Sequence, residues 1–199
     1  HLHDRSMRER HIRFVLLGTA VVVALALALL ALFVMLDNRR KFTYIRLQKQ
    51  LQQNRVEMLA LTALSDDSEP SLSEPDSERL HALRCQRVEC CRQLFAHTEW
   101  QARLTQIEHA PNLMLSFTLS ERNALQQVIF DTFADVMIDF KNECPSLTTS
   151  DLQLLIFTLL GCSIRTIAIC TSISENALRS RKTRMKSKMG EELCKMVFG

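Results

Sequence analysis

Residues 163–190 read SIRTIAICTSISENALRSRKTRMKSKMG. Ser163 is a helix cap before a short apolar run, Ile164–Cys170, and Thr171-Ser172-Ile173 forms a tight turn. Ser174 caps a second, longer helix that runs to about Met189, with Gly190 as its stop. A short helix, a three-residue turn and a long helix make the helix-turn-helix layout. Ala168 is small enough for two helices to cross closely, and Ile164, Ile167 and Ile173 fill the junction. The long helix sorts its own side chains. Leu178, Arg181, Met185 and Met189 share one stripe, whose apolar members must face a core while the stem of Arg181 follows them. Asn176, Arg179, Ser180, Thr183 and Ser187 lie opposite, flanked by Lys182, Arg184, Lys186 and Lys188. Six basic residues thus fall between Arg179 and Lys188 with no acidic residue among them.

A helix of this width fits the major groove of a duplex. Cations on its flanks would neutralise phosphates and supply affinity without sequence preference. Arg179 has the chemistry to read guanine and Asn176 adenine. The candidate DNA-contacting set is Arg165, Ser174, Asn176, Arg179, Ser180, Lys182, Thr183, Arg184 and Lys186. A basic helix that merely faces solvent is common. The preceding short helix, the turn and the caps are what distinguish this one.

Upstream, Thr148 with Asp151 three residues on forms a capping box for a helix running through Leu160 and stopping at Gly161. Asn142 to Ser146, with Pro145, break the helix before it. That helix is expected from Ser120, as N-cap, to Lys141, with Leu125, Val128, Ile129, Phe133, Val136, Met137 and Phe140 on one buried face. Arg79 to Ala110 reads as one more helix, ended by Pro111-Asn112, so that 79–141 is a helical connector. Before it, Ser65–Glu78 holds six acidic residues, five serines, Pro70 and Pro75, and only Leu72 is apolar. Such a stretch buries too little surface to offset its ordering entropy and is expected to be a flexible linker.

Residues 37–64 read as a helix. Tyr44, Leu47, Leu51, Asn54, Met58 and Leu61 alternate three- and four-residue steps, a heptad seam on which Asn54 would set register. A coiled-coil homodimer is the expected use of that seam; packing on the chain's own domain is the plain alternative. Phe14–Leu36 is a run of 23 residues without charge, of which only Gly18 and Thr19 are not hydrophobic. As a helix it is roughly 34 Å long, against a bilayer core of about 30 Å. A cleaved signal peptide would be shorter and would end in small residues; this run ends at Asp37-Asn38-Arg39-Arg40-Lys41. A buried core helix seldom stays apolar on every side for so long. The run is therefore read as a transmembrane helix. Arg39, Arg40, Lys41, Arg46 and Lys49 follow it, and Arg5, Arg8, Arg10 and Arg13 precede it. That balance permits the C-terminal part to be cytoplasmic, and a DNA-binding helix requires it. The chain opens on His1, so residues 1–13 are expected to be the end of a preceding extracytoplasmic region.

The C-terminal residues also resemble the LuxR/FixJ-type helix-turn-helix family. Leu147-Thr148 with Asp151, Gly161-Cys162-Ser163, Ile167-Ala168, Ile173-Ser174, Ala177-Leu178 and Lys188-Met189-Gly190 follow the family pattern without a gap over roughly residues 145–195. The resemblance implies a LuxR-like domain over 142–199, with bases met at the positions of Arg179, Ser180 and Thr183. Three departures stand out: Thr166 where the family usually has Glu, Arg181 where it often has His, and Ala177 in place of Thr. The wider arrangement is similar to a membrane-anchored bacterial subset of these regulators. There, extracytoplasmic tetratricopeptide repeats precede a single span in the inner, cytoplasmic membrane.

The fold class expected from all this is all-α. Four glycines and four prolines suit long helices better than sheets or nucleotide-binding loops. The seven cysteines are odd in number, irregular in spacing and all downstream of the apolar run, which fits a reducing compartment rather than a disulfide framework. His81 and Cys85 could share a helix face, but Cys90 and Cys91 point to different sides, so buried thiols and a surface histidine are expected in place of a metal site. A histidine kinase is set aside because a nucleotide-binding domain needs more glycine than remains after the span. No enzyme, cofactor or small-molecule substrate is read from the residues. The expected partners are double-stranded DNA, a lipid bilayer and a second copy. A membrane-anchored adaptor with a degenerate helix-turn-helix is the competing expectation.

Overall fold

The computed structural model describes residues 2–66, 74–109 and 117–198, and among them every regular element is a helix. In order these are α1 (Leu2–Asp66), α2 (Glu74–Ala96), α3 (Glu99–His109), α4 (Leu119–Glu143), α5 (Thr149–Leu159), α6 (Ile164–Thr171), α7 (Glu175–Lys186) and α8 (Glu191–Phe198). The chain divides into two compact units, residues 1–45 and 46–199. The expected breaker Pro111-Asn112 and half of the acidic stretch, residues 67–73, lie outside the described residues.

The first unit is helical from Leu2. It holds one helix long and apolar enough to cross a membrane. Its large apolar side chains from Leu17 to Leu36 are all exposed, from 49% at Val34 to 69% at Phe33. Asp37 and Lys41 pair at 2.7 Å just beyond that stretch.

The second unit is a helical bundle. Phe95, Leu125, Ile129, Phe133, Leu147, Leu155, Ile156, Phe157 and Ile167 are among its fully buried side chains. Helix α4 packs on α2 and α5, and α5 in turn packs on α7 and α8. Apolar residues at three- and four-residue steps build this core, as on any helix with one buried face.

The heptad seam of α1 packs on α2 of the same chain, the plain alternative to a coiled coil. Leu47 packs with Cys90 and Leu94, and Met58 with Leu80 and Leu83, all on α2. Tyr44, the first expected member, is 45% exposed. Asn54 sets register within the chain. Its Nδ2 donates to the Leu83 carbonyl at 2.8 Å, and its Oδ1 accepts from Arg87 Nε at 3.0 Å. Arg87 also donates from Nη1 to Asp139 Oδ2 on α4 at 2.7 Å. Asn54 and Arg87 are buried, so each polar atom had to find a partner on folding. Burial pushes the Asp139 carboxyl above its ordinary value, although Arg87 and Arg84 pull the other way.

Several boundaries differ from the sequence-based expectation. Helix α2 begins at Glu74, inside the stretch expected as linker, because Pro75 is tolerated in a first turn, where its missing N–H costs nothing. The connector breaks at His97-Thr98, where His97 N–H and Thr98 N–H close turns onto Leu94 and Phe95. Thr118, not Ser120, caps α4, because Glu121 sits three residues after Thr118 and completes a capping box. Cys85 is exposed, with its Sγ 3.6 Å from His81 Nε2, whereas Cys90 and Cys91 are buried. Burial pushes the Cys91 thiol up to about 12, as it does those of Cys162 and Cys170.

Candidate nucleic-acid interface

Three serine and threonine caps fix the ends of α5, α6 and α7. Thr148 and Asp151 form a complete capping box on α5: Thr148 Oγ1 accepts from Asp151 N–H at 3.2 Å, and Asp151 Oδ2 accepts from Thr148 N–H at 2.9 Å. Gly161 follows α5 with φ +76°, a conformation a side chain would strain. Ser163 caps α6 through Thr166 N–H at 3.2 Å. Ser172 turns the chain with φ 55° before Ser174 caps α7 through Ala177 N–H at 3.3 Å.

The cap of α6 is completed from outside. Thr166 has no carboxylate to reach back to Ser163. Instead, Glu108 of α3 accepts from Ser163 N–H at 3.2 Å, from Ser163 Oγ at 3.1 Å and from Thr166 Oγ1. Burial works to raise the Glu108 pKa, but the hydrogen bonds from Thr166 and Ser163 outweigh it and hold the carboxyl below the ordinary range. Glu108 thus brings from α3 the carboxylate that Thr166 lacks.

Helix α7 buries one side and displays the other. Leu178 and Met185 are 1% exposed, and Met189 just beyond the helix is also buried. Asn176, Arg179, Ser180, Thr183, Arg184 and Lys186 are exposed, as is Arg165 on the neighbouring α6, while Lys182 is half-buried. The oxygen of Ser174 is engaged as a cap. Thr183 donates to the Arg179 carbonyl at 3.1 Å.

The six cations expected on this helix divide by partner. Arg181 and Lys188 both lie 3.9 Å from the Asp151 carboxylate, and Lys188 donates to the Ser146 carbonyl at 3.2 Å. Burial tends to raise the Asp151 pKa, but Thr148, Lys188 and Arg181 together bring it below the usual value. Arg179 pairs with Glu175 one turn earlier at 3.0 Å. Lys182 and Lys186 lie over one face-forming group, the ring of Phe198, at 4.8 and 4.6 Å from its centroid. Arg184 is exposed.

The helix was expected to run to Met189; it ends at Lys186. Ser187 N–H and Lys188 N–H turn back onto Thr183 and Met185, and the chain re-forms as α8. Reading by sequence missed α8, although Leu193 and Val197, four apart after Gly190, carry its buried stripe. No family model, curated protein or solved structure matches the chain.

Proposed function

We propose that the chain is a membrane-tethered, DNA-binding transcription regulator of the LuxR/FixJ-like kind. Residues 14–36 are its single span, and the C-terminal bundle lies on the cytoplasmic side. Helices α6 and α7 with the Ser172–Ser174 turn serve as its helix-turn-helix. The observation that carries this reading is the two-sidedness of α7. Leu178 and Met185 anchor it in the bundle, while Asn176, Arg179, Ser180, Thr183, Arg184 and Lys186 stand exposed along the rest of its surface. An exposed row of guanidinium, ammonium, hydroxyl and carboxamide groups on a helix is what reading a major groove requires.

The Arg179–Glu175 pair is compatible with this use. It is a surface pair, weak in water, and a phosphate or guanine edge offers Arg179 a stronger partner. An adaptor that docks an acidic protein would use the same cations. The two readings separate by salt and by footprint. Full-length chain in lipid nanodiscs, titrated with genomic duplex fragments, should lose affinity steeply as salt rises. A log–log slope of about −3 to −4 is expected if the interface neutralises about four phosphates. The double variant Arg179→Glu with Lys182→Glu should abolish that binding. Affinity that ignores salt, or survives the double reversal, would contradict the proposal.

A further inference from the structure

We propose that Phe198, at the end of α8, gathers Lys182 and Lys186 into a two-ammonium seat for one backbone phosphate of the duplex. The inference deepens the DNA-binding reading and rests on it. Its starting point is that two like charges converge on one ring: Lys182 Nζ and Lys186 Nζ lie 4.8 and 4.6 Å from the same centroid. An ammonium over an aromatic face is attracted by the ring quadrupole. A second ammonium drawn to the same ring is opposed by the first, and an anion bound between them would relieve that repulsion.

Three other cations of this region already have carboxylate partners. Arg179, Arg181 and Lys188 each sit on a carboxylate, Glu175 or Asp151. Lys182 and Lys186 make no ion pair among the described residues, so their positive charge is not cancelled within the bundle. The ring itself is well held. Leu193 and Val197 of the same short helix are buried, and α8 packs on α5. Phe198 thus ties the cationic side of α7 to the core through a neutral ring. Lysine loses much rotamer freedom when it engages a ligand. Here the ring holds both ammonium groups near it before the phosphate arrives, and an ammonium has three donors, so each can still turn one to a phosphate. Phe198 is a positioning residue; the lysines make the contact.

The test uses full-length chain in nanodiscs and three variants, Phe198→Ala, Phe198→Leu and Phe198→Trp. Leucine keeps an apolar side chain at the position and removes the quadrupole; tryptophan keeps the quadrupole. Duplex affinity should fall about two- to fivefold in the Ala and Leu variants, with the salt slope flatter by about one phosphate. The Trp variant should match the wild type, which rules out misfolding as the cause, and thermal melting checks each variant. Acetylation footprinting provides a readout that does not depend on DNA. Lys182 and Lys186 should react faster in Phe198→Leu than in the wild type, while Lys195, which pairs with Glu191, stays unchanged. A Leu variant equal to wild type in affinity, slope and lysine reactivity would overturn the proposal. If the wild type binds no duplex, inorganic polyphosphate serves as the probe. Phe198-dependent protection of both lysines would then keep the phosphate seat and discard the DNA reading, and absence of that protection would discard both.

Discussion

Two stretches of α1 are rich in apolar residues and meet opposite fates. From Leu17 to Leu36 the large side chains are all exposed, the lowest at 49%. From Leu47 to Met58 only the residues of one stripe are hidden, and they are hidden by α2. The first stretch is apolar on every side, so no single protein partner could cover it and a lipid phase can. The second is apolar on one side only, so one neighbouring helix satisfies it. Periodicity shows that a helix face is covered; it does not show whether the cover is a second copy or the same chain. Asn54 illustrates this. A buried polar residue on a seam fixes register wherever its partner sits, and here the partners are Leu83 and Arg87, about thirty residues further along the chain.

Charge placed in the first stretch should have the largest effect. Leu25→Arg with Leu29→Arg places two charges in the middle of the run, at about 2.5–3.5 kcal/mol each on insertion scales. The double variant should leave the alkali-extracted membrane fraction that retains the wild type. Retention of the variant would mean that the run is not held by lipid. Among the contacts of the second stretch the largest effect should come from Arg87→Met on α2. Asp139 then stays largely buried without its cation, and loss of one partner of a buried pair costs about 3–5 kcal/mol. A denaturant melt should show most of that loss, and Asp139→Leu added to it should recover part. Asn54→Leu should cost about 1–3 kcal/mol by leaving Arg87 Nε buried without its acceptor, with no change of oligomeric state. A change of oligomer in that variant would return the seam to a coiled-coil role.

The smallest effects concern the two caps. Thr148→Ala should cost about 1 kcal/mol. Glu108→Ala should cost less, because its carboxylate is exposed and its contacts are screened, and adding Thr166→Glu should restore the loss by making the α6 cap local. Both carboxylates, Glu108 and Asp151, have folded pKa values below their ordinary ones. Their contribution is therefore complete above about pH 4.5 and disappears as pH falls through the lowered values. Asp139, whose pKa is raised, acts with the opposite sign and costs stability as pH climbs past its ordinary value. Melting temperature followed down to about pH 3 in Asp151→Asn and Asp139→Asn should show a shallower acid loss in the first and a steeper one in the second.

Local signals in the sequence were enough for the helices of the C-terminal bundle whose caps are local. Thr148–Asp151, Ser163 and Ser174 stand where the chain turns, and Gly161 has the positive φ that its place after α5 requires. What could not be read were contacts between distant residues. Glu108 capping α6, Arg87 reaching Asn54 and Asp139, and Phe198 under two lysines join positions 12 to 58 apart in the chain, and no local pattern marks them. Charge count had the same limit at the candidate interface. It found six cations on or near α7 but not that Asp151 engages two of them. Helix α8 was missed for a different reason: eight residues give too few turns for a period to stand out, even with Leu193 and Val197 in place.

On the proposed reading, the exposed side of α7 meets DNA while the chain stays in a membrane. The most direct measurement is sequencing of the genomic fragments cross-linked to full-length chain recovered from the membrane fraction, for the wild type and for Arg179→Glu with Lys182→Glu. The account predicts a small set of enriched sites in the wild type and their loss in the variant at equal membrane abundance. Equal enrichment in both, or none in either, would contradict it.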